Sequence, residues 1–141
     1  MTTHASRDTT TGLQFEEKAQ IKRDGIKVAK HDLYRFLTKQ NIDYTTFLSR
    51  KLLPDDAYID YSTSSLYVYE KKYQETEGSA DEKPQTCGFK IYQYKKIAAA
   101  LGLKNTYYIY VFNNWFKKPK YKDMLDYINT VDGCSYYFLE E

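Results

Sequence analysis

Apolar side chains at helical spacing mark several segments of the chain. Ala29, Leu33, Phe36 and Leu37 recur at intervals of three to four residues, which is typical of a helix that lays one face on a core. The preceding segment, 13–23, is rich in residues with high helix propensity and is followed by a turn signal. The pattern predicts helices over 13–23, 28–39, 84–101 and 119–131.

Other segments are rich in β-branched and aromatic residues. Two of them, 57–61 and 66–73, are joined by a short polar connection, which predicts a hairpin. The run from Thr106 to Phe112 is almost free of polar residues, as expected for a central strand covered on both faces. A last strand is predicted over 134–139, after Asp132-Gly133.

The order of these elements indicates an α/β fold. A helix between the second hairpin strand and the strand at 106–112 is a crossover connection, which makes those two strands parallel neighbours in one sheet. We therefore expect a mixed central sheet flanked by helices, in a single domain over 13–141. Residues 1–12 offer almost no apolar side chain to bury and are expected to form a disordered tail.

Charge and composition narrow the classes of function. The chain of 141 residues has 21 Lys and Arg against 19 Asp and Glu, so any contact with nucleic acid must come from a local patch rather than from overall charge. No apolar run approaches the roughly 20 residues that cross a bilayer, and no secretory signal opens the chain. We expect a cytoplasmic protein without a membrane partner, whose Cys87 and Cys134 are buried or idle thiols.

The candidate chemistry lies in the hairpin. Leu66, Val68, Glu70 and Lys72 share one face of the second strand because side chains alternate. A two-residue turn at 63–64 would place Asp55 opposite Lys72, on the face of Glu70. A shift of one residue would exchange Asp55 for Asp56.

Two carboxylates beside a lysine suit metal-dependent cleavage of a phosphodiester. Asp55 or Asp56, Glu70 and the backbone carbonyl of Lys71 could hold Mg²⁺, with Mn²⁺ as the alternative ion. Lys72 would orient or deprotonate the attacking water and offset charge in the transition state.

The segment Pro54-Asp55, the hairpin, Glu70-x-Lys72 and the following crossover helix and strand resemble the PD-(D/E)xK nuclease superfamily. The resemblance covers about 52–112. It implies a restriction-endonuclease-like fold and a nuclease acting on DNA, with RNA as the alternative substrate. It also implies that Asp55 and Glu70 bind the metal, that Lys72 serves the water, and that Gln74 is a supporting polar residue.

Alternatives remain open at several positions. Asp60 competes with Asp55 and Asp56 for the first metal position, or else caps the hairpin. The acids and lysines of the motif could also form an ordinary solvated rim. On this second interpretation the domain is a non-catalytic module that binds nucleic acid or protein, or a structural protein with tyrosine-rich interfaces.

Lysines interleaved with aromatic residues are candidates for contact with phosphates. Those considered are Lys90 and Lys95 on the helix after the motif, and Lys117, Lys118 and Lys120 near Trp115. The alternative for the second group is a loop whose aromatic residues cap the core while its lysines keep the edge soluble. A domain of this size that cuts both strands is expected to act as a homodimer.

Overall fold

The computed structural model describes residues 14–15, 20–76 and 84–139. These form an α/β fold around a five-stranded mixed sheet, whose strands follow one another in chain order across the sheet. The predicted tail over 1–12 lies outside the described residues. So do residues 13 and 16–19 of the first predicted helix. Of its described residues, Gln14 and Phe15 are helical, whereas residues 20–23 are not.

The strands and helices have well-defined bounds. The strands are β1 (Ile26–Lys27), β2 (Asp56–Asp60), β3 (Ser65–Lys72), β4 (Asn105–Phe112) and β5 (Cys134–Phe138). The helices with complete description are α1 (Asp32–Lys39), α2 (Cys87–Ala100) and α3 (Lys122–Thr130). Short 3₁₀ turns occupy Tyr44–Thr46, Pro84–Thr86, Asn114–Lys117 and Pro119–Tyr121.

Strand directions agree with the crossover argument. β1, β2 and β3 form an antiparallel meander, whereas β3, β4 and β5 are parallel. The connections β3–α2–β4 and β4–α3–β5 advance in the same direction across the sheet. Right-handed crossovers that advance in one direction place their helices on one face.

That face carries the main core. Side chains of all three helices pack on Ala57, Ile59, Leu66 and Val68 of the hairpin and on alternate residues of β4. The opposite face holds a smaller cluster, in which Phe15, Ile21, Tyr58, Tyr69 and Val111 are buried. Because successive side chains of a strand point to opposite faces, the two clusters define which residues of β2 and β3 share a side.

Three further details of the sequence-based prediction are wrong. The helix predicted from residue 28 begins at Asp32, because Lys30 has a left-handed backbone (φ 51°) that interrupts any earlier helical turn. The strand β1 has no counterpart in the prediction. β4 is an interior strand, flanked by β3 and β5, but it is not the middle strand and it is not covered on both faces along its length, since Tyr107 is exposed.

The register of the hairpin also differs from the prediction. Asp56 is opposite Tyr69, so the pairing is shifted by two residues from the one that would place Asp55 opposite Lys72. The connection is four residues long because the Asp60 carboxylate accepts hydrogen bonds from the amide and hydroxyl of Ser62 (3.0 and 2.6 Å), which stabilises a wider turn. A shift of two residues preserves the face, so Asp55 still precedes β2 on the side of Glu70.

Candidate active site

Asp55 is held at the beginning of β2 by contacts from both sides. The hydroxyl of Tyr34 on α1 donates to the carbonyl of Leu52 and accepts from its amide, both at 2.6 Å. The amide of Lys30 donates to the carbonyl of Pro54 (2.8 Å). These bonds fix the chain directly before Asp55 and bring the Lys30 side chain to the same place.

The Asp55 carboxylate has three polar neighbours. One oxygen accepts from the backbone amide of Lys71 (2.8 Å), and the other pairs with the ammonium of Lys30. Glu70 is a further hydrogen-bonding partner. Burial opposes ionisation of Asp55, but the bonds from Lys30 and Lys71 outweigh it and lower the pKa of Asp55 below its usual value.

Glu70 has the opposite electrostatic character. Burial raises the pKa of Glu70 to about 8, the negative charge of Asp55 adds to this, and Lys72 opposes it. At neutral pH Glu70 therefore retains its proton and shares it with the ionised Asp55 carboxylate. Two carboxyl groups in contact, one charged and one neutral, lie at the end of the hairpin.

Asp56 does not join this pair. It follows Asp55 directly, so its side chain points to the opposite face of the sheet, where it lies 3.7 Å from the ammonium of Lys27. Burial raises the pKa of Asp56, and Lys27 offsets this only in part. The placement does not support the predicted role of Asp56 as a metal ligand.

The other predicted residues of the motif have different environments. Asp60 is at the far end of β2, where it caps the hairpin turn, the second of its two predicted roles. Lys71 meets Asp55 through its amide rather than through the carbonyl proposed as a ligand. Gln74 turns its side-chain amide to the carbonyl of Thr76, and its backbone is held by the Asn113 amide group (3.2 and 2.7 Å).

An open pocket of about 460 Å³ adjoins the carboxyl pair. It lies between the segment before β2, the end of β3 and the first turns of α2. Four cationic residues line it, namely Arg50, Lys51, Lys72 and Lys90. Glu70 also lines the pocket, so the carboxyl pair lies at the edge of a positively charged concavity.

The pocket includes residues that the sequence did not single out. Arg50 and Lys51 come shortly before Pro54-Asp55, and a basic pair so near the motif was the signal that could have revealed them. Phe89 is 61% exposed on the pocket wall. Lys30 had no comparable signal, because its approach to Asp55 depends on a left-handed backbone at a non-glycine residue.

The remaining candidate lysines are not pocket residues. Lys95 lies 4.0 Å from Asp132, near the turn before β5. Lys118 stacks over the ring of Trp115 (3.3 Å to the ring centre), and Lys117 and Lys120 lie over Phe138 and Tyr121 (5.2 and 5.1 Å). In these contacts the lysines cover the faces of aromatic rings.

Asp55 and Glu70 are the two acidic residues that could hold a metal ion at this site. Across residues 14–15, 20–76 and 84–139, no three His, Cys, Asp or Glu side chains gather in a group that could hold a metal. Mg²⁺, however, is commonly held by one or two carboxylates and keeps several waters. Asp55 and Glu70 are two such groups, and Asp55 is paired with the half-exposed Lys30.

Both cysteines are buried and free, as predicted, and burial raises the pKa of the Cys87 and Cys134 thiols. Neither cysteine is among the residues that line the pocket. Within the described part of the chain, no helix combines the length and the apolar composition that a bilayer crossing needs.

No protein-family model, curated protein or solved structure matches this chain.

Proposed function

We propose that this protein is a metal-dependent nuclease that hydrolyses phosphodiester bonds in DNA. The observation that carries the proposal is the contact between Asp55 and Glu70 at the edge of a pocket lined by Lys72 and other cations. On this proposal the fold is restriction-endonuclease-like and belongs with the PD-(D/E)xK nucleases. The order of hairpin, crossover helix and parallel strand supports that assignment.

Each residue has a distinct part in the proposed reaction. Asp55 and Glu70 would hold Mg²⁺ or Mn²⁺, which when bound supplies positive charge to the phosphate and lowers the pKa of a water. Lys72 lies near enough to Glu70 to oppose the rise in its pKa, and its ammonium can hold a phosphate oxygen or the water that attacks phosphorus. Arg50, Lys51 and Lys90 would neutralise neighbouring phosphates of the strand.

Isosteric variants test this assignment. Asp55→Asn, Glu70→Gln and Lys72→Met should each lower the rate of cleavage of a labelled DNA strand in Mg²⁺ by about a hundredfold or more. Asp55→Asn and Lys72→Met remove a charge, and Glu70→Gln replaces an ionisable group by a neutral one. All three leave size nearly unchanged, so circular dichroism and thermal melts should show that each variant folds.

Neighbouring residues on the opposite face provide matched controls. Asp56→Asn and Lys71→Met change the same charges one residue away, and they should retain cleavage within a few-fold of the original rate. Full activity in Glu70→Gln or Lys72→Met, or equal losses in the Asp56 and Asp55 variants, would contradict the proposal.

The partners that Asp55 and Glu70 already have favour a second function. Asp55 has Lys30 and the Lys71 amide as partners, and Glu70 keeps a proton, so neither carboxyl requires a metal for stability. A non-catalytic module could use the same cationic pocket to bind DNA. Titration calorimetry with Mn²⁺ separates the two, because the module would bind DNA and show no heat of metal binding.

A further inference from the structure

The pocket beside the carboxyl pair contains an acceptor without a donor. Gln93 on α2 lines the pocket and is only 5% exposed, and its side-chain oxygen Oε1 is buried with no hydrogen-bond partner among the residues that the structure describes. Leaving a buried acceptor unpaired is costly, and such groups in native proteins call for an explanation. A ligand that brings a donor to this part of the pocket is one such explanation.

Phosphate alone does not meet this requirement. Ionised phosphate oxygens only accept hydrogen bonds, so they suit Arg50, Lys51 and Lys90 but not the Gln93 oxygen. Exocyclic amines and ring N–H groups of nucleobases are donors. In a duplex the ring N–H groups are occupied by the paired base and the remaining amine hydrogens lie within the grooves, so a base must leave the stack to bring its donors into a pocket of this kind.

The pocket wall is suited to a base ring as well. Phe89 presents an exposed ring, and Tyr92 stacks beside it with ring centres 6.3 Å apart and planes 26° apart. Aromatic side chains beside a cationic groove are the usual stacking platform for single-stranded nucleic acid. The volume of about 460 Å³ falls in the range of small-molecule sites, roughly 300 to 1,000 Å³, so a single nucleotide is a better match than a double helix.

We propose that this pocket binds an unpaired nucleotide of DNA, with its base stacked on Phe89 and hydrogen-bonded to Gln93 and its phosphate held by the cationic wall. The proposal rests on the proposed function and narrows it, because it makes a strand end or a single-stranded segment the preferred substrate over continuous duplex.

Binding without a metal isolates the pocket from the chemistry. Fluorescence anisotropy in EDTA would compare a blunt DNA hairpin, the same hairpin with a short single-stranded overhang, and that overhang with its bases replaced by abasic sites. We expect the overhang to bind about tenfold or more tightly than the blunt hairpin. The abasic overhang keeps the phosphates but should lose this preference.

Variants assign the preference to the two residues. Phe89→Ala and Gln93→Leu should each bring the affinity for the overhang down to that for the blunt hairpin. Tyr61→Ala removes a similarly exposed ring at the hairpin turn and should leave the preference unchanged. Gln93→Leu should also melt at the original temperature or above it, because it removes an unpaired buried acceptor.

Three results would overturn the proposal. They are equal affinity for blunt and overhanging hairpins, equal affinity for the normal and abasic overhangs, or a Gln93→Leu variant that is destabilised and still prefers the overhang. The last would show that Gln93 serves the fold. Failure of the proposed nuclease would look different, since DNA would remain intact in Mg²⁺ while the preference measured in EDTA persisted.

Discussion

Asp55 and Asp56 are adjacent in the chain and have opposite ionisation behaviour. Asp55 faces Lys30 and the Lys71 amide, which lower its pKa, whereas Asp56 is buried on the other face with Lys27 as a partial counter-charge, which leaves its pKa raised. The difference arises because successive side chains of a strand point to opposite faces of the sheet. A register shifted by one residue would have exchanged their roles, so the face matters more than the residue type.

The raised pKa of Glu70 makes stability depend on pH. The folded pKa of about 8 lies above the unfolded value, so the stabilisation is complete below the unfolded pKa and is lost as pH rises through about 8. Glu70→Gln keeps a neutral hydrogen-bonding group and removes this titration. Between about pH 5 and pH 8.5, urea unfolding should show that the free energy of unfolding of the original protein falls by about 2 kcal/mol relative to that of Glu70→Gln. This value is smaller than the full pKa shift would give, because Glu70 is partly exposed.

The matched comparison for this effect is Asp60→Asn. Asp60 lies outside the carboxyl pair, and its pKa is lowered by the hydroxyl of Ser62, so its stabilisation is present above its unfolded pKa and lost only as pH falls. The difference between Asp60→Asn and the original protein should therefore be constant between about pH 5 and pH 8.5. A constant difference for Glu70→Gln over the same range would show that Glu70 is already ionised at neutral pH.

At the scale of elements, a glycine joins the last crossover to the sheet. Gly133 has φ +88°, and a Cβ there would lie 2.6 Å from both the Thr106 carbonyl oxygen and Cδ1 of Ile91. The turn before β5 thus passes against β4 and α2 without room for a side chain. Only glycine combines this backbone with so close an approach.

Two alanine substitutions separate backbone conformation from crowding. Gly102 follows α2 with φ +75°, and a Cβ added there would meet no atom of the described residues within 4 Å, so Gly102→Ala should cost about 1 kcal/mol for conformation alone. Gly133→Ala carries a similar conformational cost and the clash with β4, and we expect a loss of about 3 kcal/mol. Equal losses in urea unfolding would show that the turn before β5 relaxes without disturbing the sheet.

At the scale of the molecule, metal binding should be linked to protonation. If Asp55 and Glu70 hold Mg²⁺ or Mn²⁺, the ion must displace the proton of Glu70, because carboxylate ligands bind deprotonated. A ligand near a hundredfold above its Kd stabilises the fold by about 2.7 kcal/mol. Thermal melts should show a rise in Tm of about 5 °C or more with saturating Mn²⁺ at pH 8.5, and a smaller rise near pH 6.

Removal of the ion provides the control for this linkage. EDTA should return Tm to its original value, and Glu70→Gln should abolish the rise whereas Asp56→Asn should preserve it. A rise that is equal in both variants, or one that does not depend on pH, would place the ion away from the carboxyl pair.

The main limits of sequence-based prediction are visible in particular elements. The stripe through Ile91, Tyr94 and Ile97 gives α2 correctly because those side chains are all buried against the sheet. Gly102 ends that helix as predicted. The hairpin register is wrong by two residues, because the carboxylate of Asp60 selects a turn that hydrophobic alternation alone does not specify.

The sequence by itself determined the order of the elements from α1 to β5, the α/β class and the shared face of Glu70 and Lys72, since helical and strand periodicities are local properties. Tertiary structure alone decided which acid meets Glu70, that Lys30 pairs with Asp55, and that Arg50 and Gln93 line one pocket. The reason is physical. Proximity across a sheet or beneath a crossover helix depends on register and packing, which residues far apart in the chain establish only when the whole fold forms.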